Sequence, residues 1–194
     1  MDDETASEIM QATHRALCEY GYAGLTMQRI ADESSMSSAA IHYHFDTKKE
    51  LLDAFLRHLT EQFERRLACA ATDPRERLAT FLDAVFTPAD DHDSDFPIAI
   101  MELKAQAPYQ TVYRDRFHEL DETIRDVVAS AVRDGVEAGY FDDADPGDVA
   151  RVVITIIDGG HTREVALGED PTETRRVLES YLQQRLGWTP EVVA

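Results

Sequence analysis

Hydroxyl, phenol and imidazole groups crowd one short stretch of the chain, Ser37-Ser38-Ala39-Ala40-Ile41-His42-Tyr43-His44, with two lysines, Lys48-Lys49, just behind it. Such groups suit hydrogen bonding to phosphate oxygens and base edges, and alanine methyls such as that of Ala40 fit against the methyl of thymine. A metal reading of His42-x-His44 fails on geometry, because side chains two apart on a helix diverge. Asp90, Asp91, Asp93 and Asp95 around His92 lack the calcium-loop ligand pattern and its bidentate glutamate. The chain has no GxSxG, no phosphate-binding glycine loop and no HExxH. Neither catalysis nor a cofactor is therefore expected, and the chemistry on offer is recognition.

The elements that must position these groups are short helices. Thr26 can cap a helix over Met27 to Glu33, whose apolar residues Met27, Ile30 and Ala31 share one face. Ser34-Ser35-Met36-Ser37 breaks that period, and Ser37 or Ser38 can cap a second helix over about 38–44, with Ile41 and Phe45 turned to the core. Asp46 or Thr47 can cap a third, starting at Lys48. Two short helices joined by a tight polar turn follow the helix-turn-helix plan, in which the second helix enters the DNA major groove. Lys48 and Lys49 stand at a helix N-terminus, where backbone amides also favour a phosphate.

Leu25-Thr26-Met27-x-x-Ile30-Ala31, then Met36-Ser37, Ile41-His42-Tyr43-His44-Phe45 and Lys48-Lys49-Glu50-Leu51-Leu52, together resemble the DNA-binding domain of the tetracycline-repressor (TetR) family. The resemblance covers about the first sixty residues without a gap. Three positions depart from it: Ser34-Ser35 stands where the family usually has Ala-Gly, Ala39-Ala40 where Gly or Lys and Thr are common, and His42 where a tyrosine usually contacts phosphate. Loss of the glycine bears on the turn, since glycine adopts positive φ more readily than serine. The resemblance implies DNA contacts from Thr26, Ser37, Ser38, Ala40, His42, Tyr43, His44 and Lys48.

The whole chain reads all-α, with about nine helices, few Pro and Gly, and long apolar periods of three and four. A first helix over Thr5 to Tyr20 carries Ile9, Ala12, Ala16 and Leu17 inward and stops at Gly21. The three helices to residue 47 form the DNA-binding domain. A fourth, about Lys48 to Ala71, links it to a regulatory and dimerising domain over 48–194. Further helices are expected over 74–86, 97–107, 109–138, 146–167 and 171–186, with Pro74, Pro146 and Pro171 at first helical positions. In the eighth, Val149, Ala150, Val152, Val153, Ile154, Ile156 and Ile157 are too continuous for one buried stripe, so it needs cover on all sides.

Beyond the reading head, the resemblance implies two roles. The last two long helices pair with their copies in a homodimer, assigned to Val153, Ile157, Gly160, Leu178, Tyr181 and Leu182. The fifth to eighth helices enclose a small hydrophobic or aromatic effector, with Phe81, Phe86, Met101, Tyr109, Tyr113 and Phe117 as lining. Glu102, His118, Asp158 and His161 are its polar anchors. Release of a palindromic double-stranded operator on ligand binding would make the protein a repressor.

Charge sets the conditions. The net charge is −19, and lysine is confined to Lys48, Lys49 and Lys104. Residues 1–58 hold ten acids and five bases, a net of −5 that leaves −14 for the rest, so the reading head is the less acidic part. Heavy Asp and Glu with little Lys resembles proteins of salt-loving organisms; an acidic mimic of DNA would leave the helix-turn-helix pattern unexplained. No apolar run is long enough to span a bilayer, and the start MDDETASEIM is acidic, unlike a signal peptide. Cys18 and Cys69, with no paired-ligand spacing, read as buried thiols in a reducing cytoplasm. A rival reading keeps the helical dimer but gives it a protein partner in place of DNA, supported by the altered turn and His42.

Overall fold

The structure is a computed structural model and describes residues 3–67, 71–87 and 96–189. The acidic loop around His92, Cys69 and the end of the predicted fourth helix lie outside the described residues. Within them the chain forms nine helices and no strand: α1 (Asp3–Gly24), α2 (Met27–Asp32), α3 (Ser38–His44), α4 (Lys48–Leu67), α5 (Pro74–Phe86), α6 (Phe96–Lys104), α7 (Thr111–Glu137), α8 (Pro146–Leu167) and α9 (Pro171–Leu186). No helix among the described residues is long and apolar enough to cross a membrane.

Capping chemistry explains the boundaries. Asp73, Asp145 and Asp170 each cap a helix whose first residue is proline, their carboxylates accepting from the N–H of Arg75, Asp148 and Thr172. α8 and α9 end at Gly168 and Gly187, both left-handed, a conformation that glycine adopts without a Cβ penalty. α1 is broken at Gly21 (φ 64°) and resumes for one short turn to Gly24. α6 stops earlier than its apolar residues suggest. Gln106 and Ala107 donate to carbonyls three residues back, a tightening expected as the chain approaches Pro108.

The helices pack as two compact units, with α4 divided after Gln62 and α7 after His118. The first unit holds α1 to α3, the start of α4, α6 and the start of α7. Its core takes Ile9, Ala12, Ala16 and Leu17 from α1, Ile30 and Ile41 from α2 and α3, Leu51, Leu52 and Phe55 from α4, Ile100 and Leu103 from α6, and Tyr113 from α7. α6 lies against α1, where the Glu102 carboxylate accepts the Tyr22 N–H at 2.7 Å, just past the Gly21 break. On α7, Arg116 pairs with Asp53 of α4 at 2.7 Å.

In the second unit, α5, α7, α8 and α9 bury Leu78, Phe81 and Leu82, Val128 and Val132, Val149, Val153 and Ile157, and Leu178, Leu182 and Leu186. Arginines stitch its surface: Arg77 to Asp134, and Arg175 to both Asp83 and Glu179. α8 and α9 pack tightly at Gly160, where a Cβ would stand 2.3–2.9 Å from three side-chain atoms of Thr174. Gly160→Ala is therefore expected to destabilise the protein by about 1–3 kcal/mol, as overpacking does. Adding Thr174→Ala should restore part of the loss. A melting temperature unchanged by Gly160→Ala would contradict this packing.

Candidate nucleic-acid interface

α2 and α3 are held at their starts by hydroxyl caps. Thr26 Oγ1 accepts the Arg29 N–H and Ser37 Oγ the Ala40 N–H, each at 3.2 Å. Met27, Ile30 and Ala31 anchor α2 in the core, and Ile41 with the flanking Phe45 anchors α3. The remaining face of α3 is open. Ser37, Ala39, His42 and Tyr43 are exposed, with Ser38, Ala40 and His44 half-buried. Tyr43 is 86% exposed, its ring edge-on to His44 at 5.1 Å. Thr26 is exposed at the start of α2. The predicted contact residues of α3 thus sit together on one projecting surface that carries a phenol, two imidazoles and small hydroxyls.

Lys48 is placed differently from expectation. Its ammonium donates to the carbonyls of Tyr22 (2.9 Å) and Leu25 (3.1 Å) and lies 4.3 Å from the centre of the Tyr22 ring. Desolvation there pushes its pKa below the ordinary lysine value. Those carbonyls follow the Gly21 break, so Lys48 ties the α1–α2 connection to the start of α4. Two amides beside that start are also engaged: Thr47 Oγ1 accepts the Glu50 N–H, and the Glu50 carboxylate accepts the Asp46 N–H. Arg29 is exposed, but its guanidinium is engaged, bonding Gly24 O at 2.6 Å and lying over the Tyr20 ring. Lys49 is exposed.

With its cations so committed, this surface neutralises few phosphates. Lys49 and at most one more cation per reading head give about two to four phosphates for a pair of heads, so log affinity should fall against log salt with a slope of about −2 to −4. A protein making the usual 6–10 phosphate contacts shows about −5 to −9. Titration of a duplex between 0.2 and 2 M KCl reads the slope directly. A slope as steep as that of a basic repressor would contradict this reading of the surface.

The turn between α2 and α3 manages without glycine. Among the described residues no side-chain-bearing residue has positive φ. Ser34 Oγ donates to Ala31 O and accepts the Met36 N–H, both at 3.0 Å. Ser35 donates from its N–H (2.9 Å) and its hydroxyl (2.7 Å) to the Glu8 carboxylate on α1. Those two bonds hold the Glu8 pKa below the usual carboxylate range. Hydroxyls thus supply the closure that the lost glycine would have given. Sequence reasoning identified the departure but not its partner, Glu8.

The other predicted residues fall in separate places. Tyr113 is fully buried in the first unit, edge-on to Tyr22 at 6.3 Å, with its hydroxyl unpartnered and its pKa raised by burial. Phe117 packs against the same core, Met101 is half-buried, and Tyr109 is 81% exposed and encloses nothing. Glu102 is occupied by the Tyr22 amide, and His118 is exposed. Phe81 is buried in the second unit, where Phe86 and His161 are half-buried and Asp158 is exposed. Of the predicted pairing residues, Val153, Ile157, Leu178 and Leu182 point into the second unit's own core, and Gly160 faces Thr174 of the same chain. Tyr181 remains half-buried. The outward face of α8 and α9 instead presents Val152 (36% exposed), Gly159 and Val177 (46% exposed), with Ile156 half-buried at the margin of the core and no atom within 4 Å of a Cβ built on Gly159. The physical reason is register: in a nearly continuous apolar run the period does not say which side turns inward.

Comparison with known proteins places this geometry. Residues 9–55 match the tetR family of bacterial regulatory proteins, and residues 74–187 match the C-terminal region of BetI-type transcriptional repressors. The chain is 29% identical over 180 residues to the HTH-type transcriptional repressor Rv1474c of Mycobacterium tuberculosis, covering 89% of this chain and 88% of that one. A TetR transcription regulator from Haloarcula marismortui, solved by crystallography, superposes with a TM-score of 0.87 at 40% identity, over 95% of this chain and all of that one. A transcriptional regulator from Saccharomonospora viridis, solved with choline, shares the fold with a TM-score of 0.84 at 22% identity, over 95% and 98%. With an N-terminal helix-turn-helix carrying an open recognition helix and a helical C-terminal region of the matching type, the chain belongs to the TetR family and is a DNA-binding transcriptional regulator.

Proposed function

We propose that the protein acts in the cytoplasm as a homodimeric repressor that binds a palindromic operator and leaves it when a small effector binds. The observation that carries this is α3: a capped helix whose open face holds Tyr43, His42, Ser37 and Ala39, with none of the described residues folded over Tyr43. Residues to 47 with the start of α4 form the reading domain, and the rest regulates and pairs. The pairing surface is the exposed stripe of Val152, Gly159 and Val177, flanked by the half-buried Ile156 and Tyr181, and Gly159 permits close approach of a second backbone. Two copies of α3 then read half-sites about one DNA turn apart.

The effector is small and apolar or aromatic in its contacts. Tyr113 and Phe117 are the lining residues with the best support, since Tyr113 carries a buried hydroxyl with a hydrogen bond to give. The choline-bound neighbour makes choline the first molecule to try, because aromatic faces attract quaternary ammonium groups. The acidic, lysine-poor surface is an adaptation to molar salt, in keeping with the Haloarcula relative. The test is titration, in molar KCl, of duplex DNA from directly upstream of the protein's own coding sequence. Saturable binding by a dimer, reversed by an effector, supports the proposal. Absence of binding there and to every duplex in a random pool would refute it.

A further inference from the structure

We infer that Glu8 and Arg15 of α1 are positioning residues for operator recognition, two points on one helix face that clamp the α2–α3 turn and set the pose of α3. The inference rests on the reading of α3 as the recognition helix. Residues seven apart lie two turns along the same side of a helix. From that side Arg15 reaches the far end of α2, donating to the backbone carbonyl of Glu33 and pairing with its carboxylate at 3.5 Å. Glu8 takes the next point, accepting both the N–H and the hydroxyl of Ser35. The gripped segment is only three residues long and ends two residues before the Ser37 cap of α3.

α3 needs such a clamp. It has seven residues, of which Ile41 alone is buried, so its buried apolar anchors are Ile41 at its middle and Phe45 just past its C-terminal end, with none at its N-terminal end. Its N-terminal end, where base-reading side chains enter the groove, is steered by the turn. Ser34 closes the turn internally, but those bonds to Ala31 and Met36 do not reach α1. Met36 packs against the core beside the turn, but the polar contacts that tie the turn to the helix beneath it come, among the described residues, from Glu8 and Arg15. A loosened clamp leaves α3 folded with its apolar anchors in place, yet free to tilt. Tilt harms base readout, which depends on angle, far more than it harms contact with phosphates, so the loss falls on specific binding.

The experiment compares specific and non-specific affinity at a temperature well below melting, using a duplex selected by the wild type from a random pool and a scrambled duplex of equal length. Glu8→Ala is expected to weaken the selected duplex about tenfold, the order of one lost charge-assisted hydrogen bond, and to leave the scrambled duplex unchanged. Ser35→Ala should give a smaller loss of the same kind, and no further loss when added to Glu8→Ala, because the hydroxyl's partner is already gone. Glu8→Gln should bind nearly as the wild type does, since an amide oxygen accepts the same two bonds. Ser35→Ala keeps the test readable should Glu8→Ala fail to fold. An unchanged specificity ratio in Glu8→Ala and Ser35→Ala, or parallel loss of both duplexes with lowered melting temperature, would overturn the clamp. Wild-type protein that selects no duplex would instead overturn the reading of α3 itself.

Discussion

Replacing Val152 and Val177 together by glutamate is expected to convert the dimer to monomers and to weaken operator binding by about 10²–10⁴-fold, the range by which linked sites exceed single ones. Both side chains project from α8 and α9, so glutamate at either should disturb the fold little. In a two-fold interface each patch meets its own copy, and the new carboxylates would face one another across it. Sedimentation at micromolar concentration in high salt reads the first part, and operator titration the second. The contrast with Val153, Ile157, Leu178 and Leu182 is informative: glutamate there would lie in the second unit's own core and should unfold the protein rather than split it. A double variant that stays dimeric would move the pairing surface elsewhere.

Tyr43→Ala is expected to lower operator affinity by roughly a hundredfold or more while leaving the melting temperature nearly unchanged. A good contact to a base is worth about 1–3 kcal/mol, and a dimer makes each contact twice. Tyr43 contributes almost nothing to the core, since its ring is open to solvent and lies edge-on to His44. The separation of affinity from stability makes the variant decisive. Lys48→Ala should behave in the opposite way. Its ammonium bonds two carbonyls beside the Gly21 break, so its loss should lower stability first and DNA binding only in consequence. A selective loss of binding from Lys48→Ala, with Tyr43→Ala harmless, would invert this assignment of roles.

Much of the fold was legible because local chemistry marks it. The Asp-Pro pairs at 73–74, 145–146 and 170–171 and the glycines at 21, 168 and 187 delimit helices by caps and left-handed turns, which depend on few neighbours. The reading head was legible for the same reason, since Thr26 and Ser37 announce α2 and α3. Rotation about a helix axis was less legible. Val149 to Ile157 is apolar at almost every position, so only tertiary packing selects Val153 and Ile157 for the core, leaves Ile156 at its margin and leaves Val152 exposed. Long flexible side chains were the least legible. Nothing in the sequence says that Lys48 turns inward to the carbonyls of Tyr22 and Leu25, or that Glu8 meets Ser35 across a separation of 27 residues. A glycine-free turn signals that something else must close it, but does not name the partner.

The most direct measurement is selection of duplexes from a random pool by the wild-type protein in molar KCl, with Tyr43→Ala run alongside. The expected result is one enriched inverted repeat, its half-sites about one helical turn (~10–10.5 base pairs) apart centre to centre, and no enrichment by the variant. Enrichment that survives Tyr43→Ala would remove α3 as the reading element. No enrichment by the wild type would contradict sequence-specific DNA binding and leave a helical dimer whose partner is another protein.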